Sequence, residues 1–417
     1  MKRSLSFGGT VPVQQPTSSR LAARIVALTA AGTALIAATY GLVRLAFGLH
    51  LPEIGAEFGL DTAALGLVSA AASVVYGLAA GVGFLIGDRL PRSLVVAAGL
   101  TAGCGAIGIA LAQHPGVFVA AAIASSAGAG CASPALVRII HRSAPDPSRA
   151  TMQAVVNAGT GPGLVAAGAV AWALAPHWRL AWVVAGAATA IAAVAVLALD
   201  RPTGAEPAAA HRGPPLSWWA AHRAPLIAAA GFGFGAAAIW NYGRVVLVAA
   251  GAPEASSLLA WVLLGAGGGA VIGTAPLARR LRPGSLWMLA ATSAAIATAV
   301  LGLLPGEFAL CGAACLVFGW GYVTATGALI EWTTRIDGAR AGTGTAVLFV
   351  VLMLGQAAGA AAVGAILESV GPAGAFAAAA AVACAAGMLG AERLTRATRL
   401  ACSRSADAPG ARRAPRP

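Results

Sequence analysis

Two arginines in this chain stand where hydrocarbon is expected. Arg44 lies inside the apolar run TYGLVRLAFGLHLPE (Thr39–Glu53), eight residues before Pro52. Arg244 lies in WNYGRVVLVAAGAPE (Trp240–Glu254), again beside Tyr-Gly and again ahead of Pro-Glu. A guanidinium in a bilayer core costs from about 3 kcal/mol on insertion scales to over 10 in simulations unless it meets water or a partner. Its planar fork of donors grips a carboxylate or phosphate with two hydrogen bonds. Tyr40, Arg44 and Phe47 fall at i, i+4 and i+7, one helical face, and Trp240 and Asn241 precede Arg244 by four and three residues. Two such groups at matching depth predict an anion site. The ordinary structural alternative is that Arg44 bonds backbone carbonyls or snorkels to headgroups, being about 12 Å of helix from Pro52.

Other polar residues fall within apolar runs, among them Ser125, Ser126, Gln153, Asn157, Thr324, Thr326 and Gln356. Most such groups simply bond neighbouring helices. Gln153, Asn157 and Gln356 are the candidates for a cavity wall, ahead of Tyr76 and Tyr322. No Asp or Glu lies deep in an apolar run, so both arginines are expected to face a ligand or water rather than a buried acid. The six histidines are scattered with no HExxH, and the six cysteines form no CxxC pair. No metal, cofactor or catalytic constellation is therefore expected, and the absence of a Walker motif excludes an ATP-driven pump.

The elements that hold these residues are apolar helices. Hydrophobic residues make up 59% of the 417-residue chain and charged residues 10%, with a mean hydropathy of +0.81. Soluble domains carry about 25% charged residues. Continuous apolar runs of about 20 residues cross a bilayer as helices. Twelve are expected: 25–51, 62–87, 93–112, 115–139, 151–174, 180–199, 225–250, 257–278, 285–304, 308–330, 342–367 and 373–391. Residues 1–24 read as a polar N-terminal tail without the apolar core of a signal peptide. Residues 200–224, rich in Pro and Arg, read as a linker between two groups of six, with Trp218 and Trp219 at headgroup level. Residues 392–417 read as a basic disordered tail. The formal charge of +13 lies at helix ends rather than on a soluble face, which argues against nucleic acid. Apart from Arg44 and Arg244, 24 of the basic residues fall on the side of the termini and only Arg179 on the other. By the positive-inside rule both termini are cytoplasmic.

The two groups of six repeat. Besides the two arginine runs, Ala135–Arg142 (ALVRIIHR) matches Ala328–Arg335 (ALIEWTTR), and Gly83–Arg89 matches Gly273–Arg279. Parallel repeats of this kind place a site between the halves near the midplane. At this point the chain resembles the major facilitator superfamily over nearly its whole length. Asp88, Arg89 and Arg92 fit that family's signature loop, although Phe84 and Pro91 replace its glycines. Residues Gly159–Gly163 are partly similar to its antiporter Gly-Pro motif. The helix-four arginine of many drug exporters is missing from residues 121–130. The Tyr-Gly-x-x-Arg opening looks more like a poorly characterised bacterial branch of permeases and exporters.

The resemblance implies an all-α membrane protein of twelve transmembrane helices in two pseudo-symmetric six-helix bundles (25–199 and 225–391). It implies a multi-pass, monomeric protein of the bacterial inner membrane. It places Tyr40, Arg44, Gln153, Asn157, Trp240, Asn241, Arg244 and Gln356 at a central cavity. Organic phosphate exchangers of the superfamily carry an arginine on each of the same two helices. Asp88, Arg89 and Arg92 are then gate residues. Arg138 and Glu331 occupy symmetric positions of opposite sign and are expected to pair across the closed cytoplasmic gate, with Arg335 beside Glu331. The implied activity is secondary transport of a small organic anion by alternating access, with protons as the candidate coupling ion. The alternative is efflux of neutral or amphipathic compounds, with Arg44 structural.

Overall fold

The computed structural model describes residues 18–144, 146–201, 213–278 and 280–406, and no strand occurs among them. Ten helices long and apolar enough to cross a membrane come first: α1 (Ala22–Leu49), α2 (Thr62–Ile86), α3 (Pro91–Leu111), α4 (Pro115–Ser143), α5 (Thr151–Leu174), α6 (Trp178–Leu199), α7 (Leu216–Ala249), α8 (Glu254–Ala278), α9 (Pro283–Leu303) and α10 (Phe308–Ile336). An eleventh, Gly338–Gly390, is 53 residues long and broken at Gly371, whose φ of 71° and ψ of 172° are not helical. Only glycine adopts that conformation readily, and Pro372 then starts a new helix. The break makes two spans, α11 (341–370) and α12 (372–406), and so twelve crossings in a multi-pass membrane protein.

Local chemistry sets the ends. The Asp61 carboxylate caps α2 by accepting from the Ala64 amide at 2.7 Å. Prolines open α3, α4 and α9, where a missing N–H costs nothing. Thr39, Thr189 and Thr298 return their hydroxyls to the carbonyl four residues back, which satisfies them inside a span. Outward faces carry exposed Leu67, Leu85, Ile191 and Ile272, a surface that suits lipid and not water.

Packing repeats with a shift of six helices. α2 packs on α4, α3 on α4 and α6; correspondingly α8 packs on α10, and α9 on α10 and α12. Between the halves α2 meets α11 and α5 meets α8. Small residues make these contacts: Gly41 abuts Gly163 within the first half, and Gly161 approaches Gly268 across the halves.

Two boundaries differ from expectation. Helix α7 begins at Leu216, inside the expected linker, and Trp218 there is buried against His222, with ring centroids 3.7 Å apart. The last helix continues to Ala406, past the expected start of the tail at residue 392, because Ala, Leu and Arg are good helix formers. The expected tail residues 1–17, linker residues 202–212 and residues 407–417 lie outside the described residues.

Candidate functional site

At the level of the two arginine runs, both α1 and α7 leave α-helical geometry. Residues Ala37–Leu45 and Ala238–Tyr242 are π-helical. Such turns are rare and concentrate at functional sites. They widen the helix where Tyr40 and Arg44, and Trp240 and Asn241, turn toward the centre.

Arg44 looks onto a cavity of about 30 Å³ between the halves, lined by Phe47, Ser73 and Trp182 from the first half and by Trp240, Asn241 and Gln356 from the second. One terminal nitrogen donates to Ser73 Oγ at 3.3 Å and Met353 Sδ at 3.0 Å. The guanidinium carbon lies 4.4 Å from the centre of the Tyr76 ring, a cation–π contact. Thioether sulfur is a weak acceptor and a ring carries no formal charge, so no acid neutralises Arg44 among these contacts. Around it, Tyr40 and Tyr76 share a hydroxyl–hydroxyl bond of 2.7 Å, and Gln356 donates to the Tyr322 hydroxyl at 3.0 Å. Asn241 accepts from Ser69 and donates to the Ala237 carbonyl. The indole nitrogens of Trp182 and Trp240 are buried without a hydrogen-bond partner, although both residues line the cavity.

Arg244 is placed differently. It is 3% exposed; its Nη1 donates to the Leu49 carbonyl and to Glu53, both at 2.6 Å, and its Nε donates to Ser257 Oγ at 3.1 Å. The expectation that both arginines lack an acid partner is corrected here: Glu53 follows Pro52 in a short helix (Leu51–Phe58) that folds back under Arg244. Matching depth is corrected as well. A Cβ on Gly48 would lie 1.9 Å from the Trp240 carbonyl oxygen, so residue 48 is level with residue 240. Arg244 therefore sits about 12 Å of helix beyond the level of Arg44. The Tyr-Gly pairs match in sequence but not in level, because Tyr242 stands two residues beyond Trp240 whereas Tyr40 stands eight before Gly48.

This distal face, opposite the start of α1, is sealed between the halves. Besides the Arg244–Glu53 pair, the Thr62 hydroxyl donates to Gly364 and reaches Glu368, both at 3.1 Å, and the Tyr242 hydroxyl lies 3.4 Å from the Thr62 carbonyl. Arg179, the one basic residue expected on this face, is held by Glu57.

On the proximal face the described ion pairs stay within a half. Arg138 Nε lies 3.7 Å from Asp88, and Arg335 donates to Glu331 at 2.6 Å one turn away. Arg138 and Glu331, expected to meet when this face closes, do not pair in this conformation. Arg92 is drawn instead to the end of α6, where it donates to the Leu197 and Asp200 carbonyls and pairs with the Asp200 carboxylate, which Arg142 also holds. Arg89 is exposed. Gln153 donates to Asn157 at 3.0 Å, and neither lines the cavity. Sequence reasoning missed Trp182, Ser73, Met353 and Glu53. Only Glu53 left a trace, in the shared Pro-Glu that ends both arginine runs.

Comparison with known proteins gives the same architecture. The Major Facilitator Superfamily profile matches residues 29–360. A bacterial homologue of the human lysosomal transporter Spinster, inward-facing and unoccupied, superposes with a TM-score of 0.65 at 15% identity, over 92% of this chain and 98% of that one. A POT peptide transporter gives 0.71 at 14% identity, over 93% and 99%. The nucleoside transporter NupG gives 0.69 at 12% identity, over 90% and 99%. At these identities the likeness is one of fold. No match is found among curated proteins.

Proposed function

The chain belongs to the Major Facilitator Superfamily and is a transporter rather than an enzyme, and from that premise we propose that it moves a small organic anion across the cytoplasmic membrane by secondary active transport. One observation carries the anion: the Arg44 guanidinium faces a cavity between two halves and has no acid partner among its contacts. Tyr40, Trp240, Asn241 and Gln356 complete the binding wall.

Alternating access supplies the cycle. The distal seal of Arg244, Glu53, Thr62 and Glu368 opens as the proximal face closes. Arg244 thereby passes from the ligand site to the gate. Arg138 then leaves Asp88 and meets Glu331 across the proximal gate, beside Arg89, Arg92 and Arg335. The arginine distribution makes the proximal face cytoplasmic, as expected for a protein of the bacterial inner membrane. The protein acts as a monomer, and protons are the coupling ion, taken up at gate carboxylates since the cavity holds none.

Proteoliposomes test this reading. Uptake of organic anions is expected to require Arg44 and to respond to a pH gradient. Transport of neutral drugs that is indifferent to Arg44→Gln would replace it with efflux of neutral compounds. At the gate, Arg138→Glu and Glu331→Arg are each expected to abolish transport, and the double reversal to restore it; failure of rescue removes the pair.

A further inference from the structure

The anion can be specified further by counting the charges and donors that face it, an inference that rests on the anion-transport reading above. We infer that the ligand at Arg44 is a monoanion, an organic monocarboxylate, rather than a dianionic phosphate.

The first observation is a charge count. With Arg244 held by Glu53 about two helical turns away, Arg44 is the one cationic side chain among the cavity residues. A carboxylate cancels it. A second negative charge would be buried without compensation, which low-dielectric surroundings strongly disfavour.

The second observation is the kind of hydrogen bond on offer. Trp182 and Trp240 are 1% and 5% exposed, line the cavity from opposite halves, and have indole N–H groups without a partner. An indole nitrogen donates only, and so does a guanidinium. Buried donors left unmade are costly, and of the five unpartnered indoles among the described residues only these two line the cavity, where an acceptor arriving with the ligand can meet them. Two carboxylate oxygens offer about four lone-pair sites, enough for the guanidinium fork and both indoles. Of the serine hydroxyls on the wall, Ser69 donates to Asn241, Ser125 donates to the Ala122 carbonyl, and Ser73 accepts from Arg44.

The third observation is the wall. Phe47, Val43 and Leu45 share the cavity with the two indole rings, and its polar groups besides Arg44 are Asn241, Gln356 and the hydroxyls of Ser69, Ser73, Ser125 and Ser126. At about 30 Å³ the cavity here is of water size, and it widens only as the halves part. Both indoles then remain on separate walls of one site, and closure around the carboxylate brings them together. The two N–H groups thus couple ligand recognition to the meeting of the halves.

Three isosteric probes separate the possibilities on the purified full chain: phenylacetate, neutral phenylacetamide and, at pH 8, dianionic phenyl phosphate. Affinity is read from thermal stabilisation across a concentration series, in the wild type and in Arg44→Gln, Trp182→Phe and Trp240→Phe. Phenylacetate is expected to bind best, with Arg44→Gln weakening it about 10- to 100-fold, as for loss of hydrogen bonds to a charged group. Each Trp→Phe change, which keeps a ring and removes the N–H, is expected to weaken it about 3- to 10-fold. Phenyl phosphate binding as tightly, and still dependent on Arg44, overturns the single charge while the anion reading stands. Phenylacetamide binding equally, with no effect of Arg44→Gln, overturns both. Unchanged affinity in both Trp variants removes the indoles from recognition. No stabilisation by any probe overturns the monocarboxylate and leaves the anion reading to the transport assay.

Discussion

Arg44 and Arg244 occupy corresponding helices of two repeats, each beside a Tyr-Gly pair and a π-helical turn, yet their surroundings are opposite. Arg244 has an acid, a carbonyl and a hydroxyl, all at bonding distance. Arg44 has one serine, one thioether and the face of a tyrosine. A guanidinium whose donors are met inside the protein is part of the protein's own closure. One whose charge is left open is prepared for something that comes and goes. Residue type and motif do not distinguish the two cases; depth and neighbours do.

The sharpest way to break this contrast is Glu53→Gln. It strands a buried cation, at a cost of about 3–5 kcal/mol to the closed distal face. A cysteine at position 62, in place of Thr62, is expected to react more than about tenfold faster with a membrane-impermeant maleimide in that background. The same reporter in Arg44→Gln is expected to keep its wild-type rate; acceleration in both backgrounds would erase the division between seal and site. Next comes Arg44→Gln itself. Its effect belongs in ligand affinity, about 1.5–3 kcal/mol, and not in labelling of the distal face. Gly48→Ala probes the contact between α1 and α7 without touching a charge. Its methyl has only the Trp240 backbone to displace, so about 1–3 kcal/mol is lost from the closed state, and cysteine labelling at position 62 rises again. Smallest is Glu331→Gln. Its pair with Arg335 is solvated, nearly half exposed on both sides, and worth under about 1 kcal/mol, so the thermal midpoint is expected to hold.

The twelve crossings, the repeat and the family were legible in the sequence because a bilayer leaves few solutions. Every backbone group must be satisfied within a helix, and the apolar runs record it. The break at Gly371-Pro372 fell between two expected spans for the same reason. The Arg44 face was partly legible: Trp240, Asn241 and Gln356 do meet it. The partner of Arg244 was not, because Glu53 is 191 residues away and Pro52 marked it as loop. Nor was the two-turn difference in depth, because spacing arguments assumed 3.6 residues per turn where the chain is π-helical. Arg92 and Arg142 converge on Asp200, and a loop motif read by itself carries no information about that third residue.

The wide turn in α1 also bears on how the helix takes up a change of length. Below it, Leu28 and Leu35 key the helix into one core cluster; above it, Phe47 keys it into another, which Val43 joins from within the turn. A π turn carries a residue more than an α turn, so the two ends need not share a helical phase. Deleting one residue between Ala37 and Tyr40 converts that surplus into ordinary helix and leaves both anchors seated. Inserting one does the reverse. Either event swings the intervening side chains by about 100° around the axis. A one-residue change of length at this turn is thus expected to re-aim Tyr40 while the packing at both ends is kept.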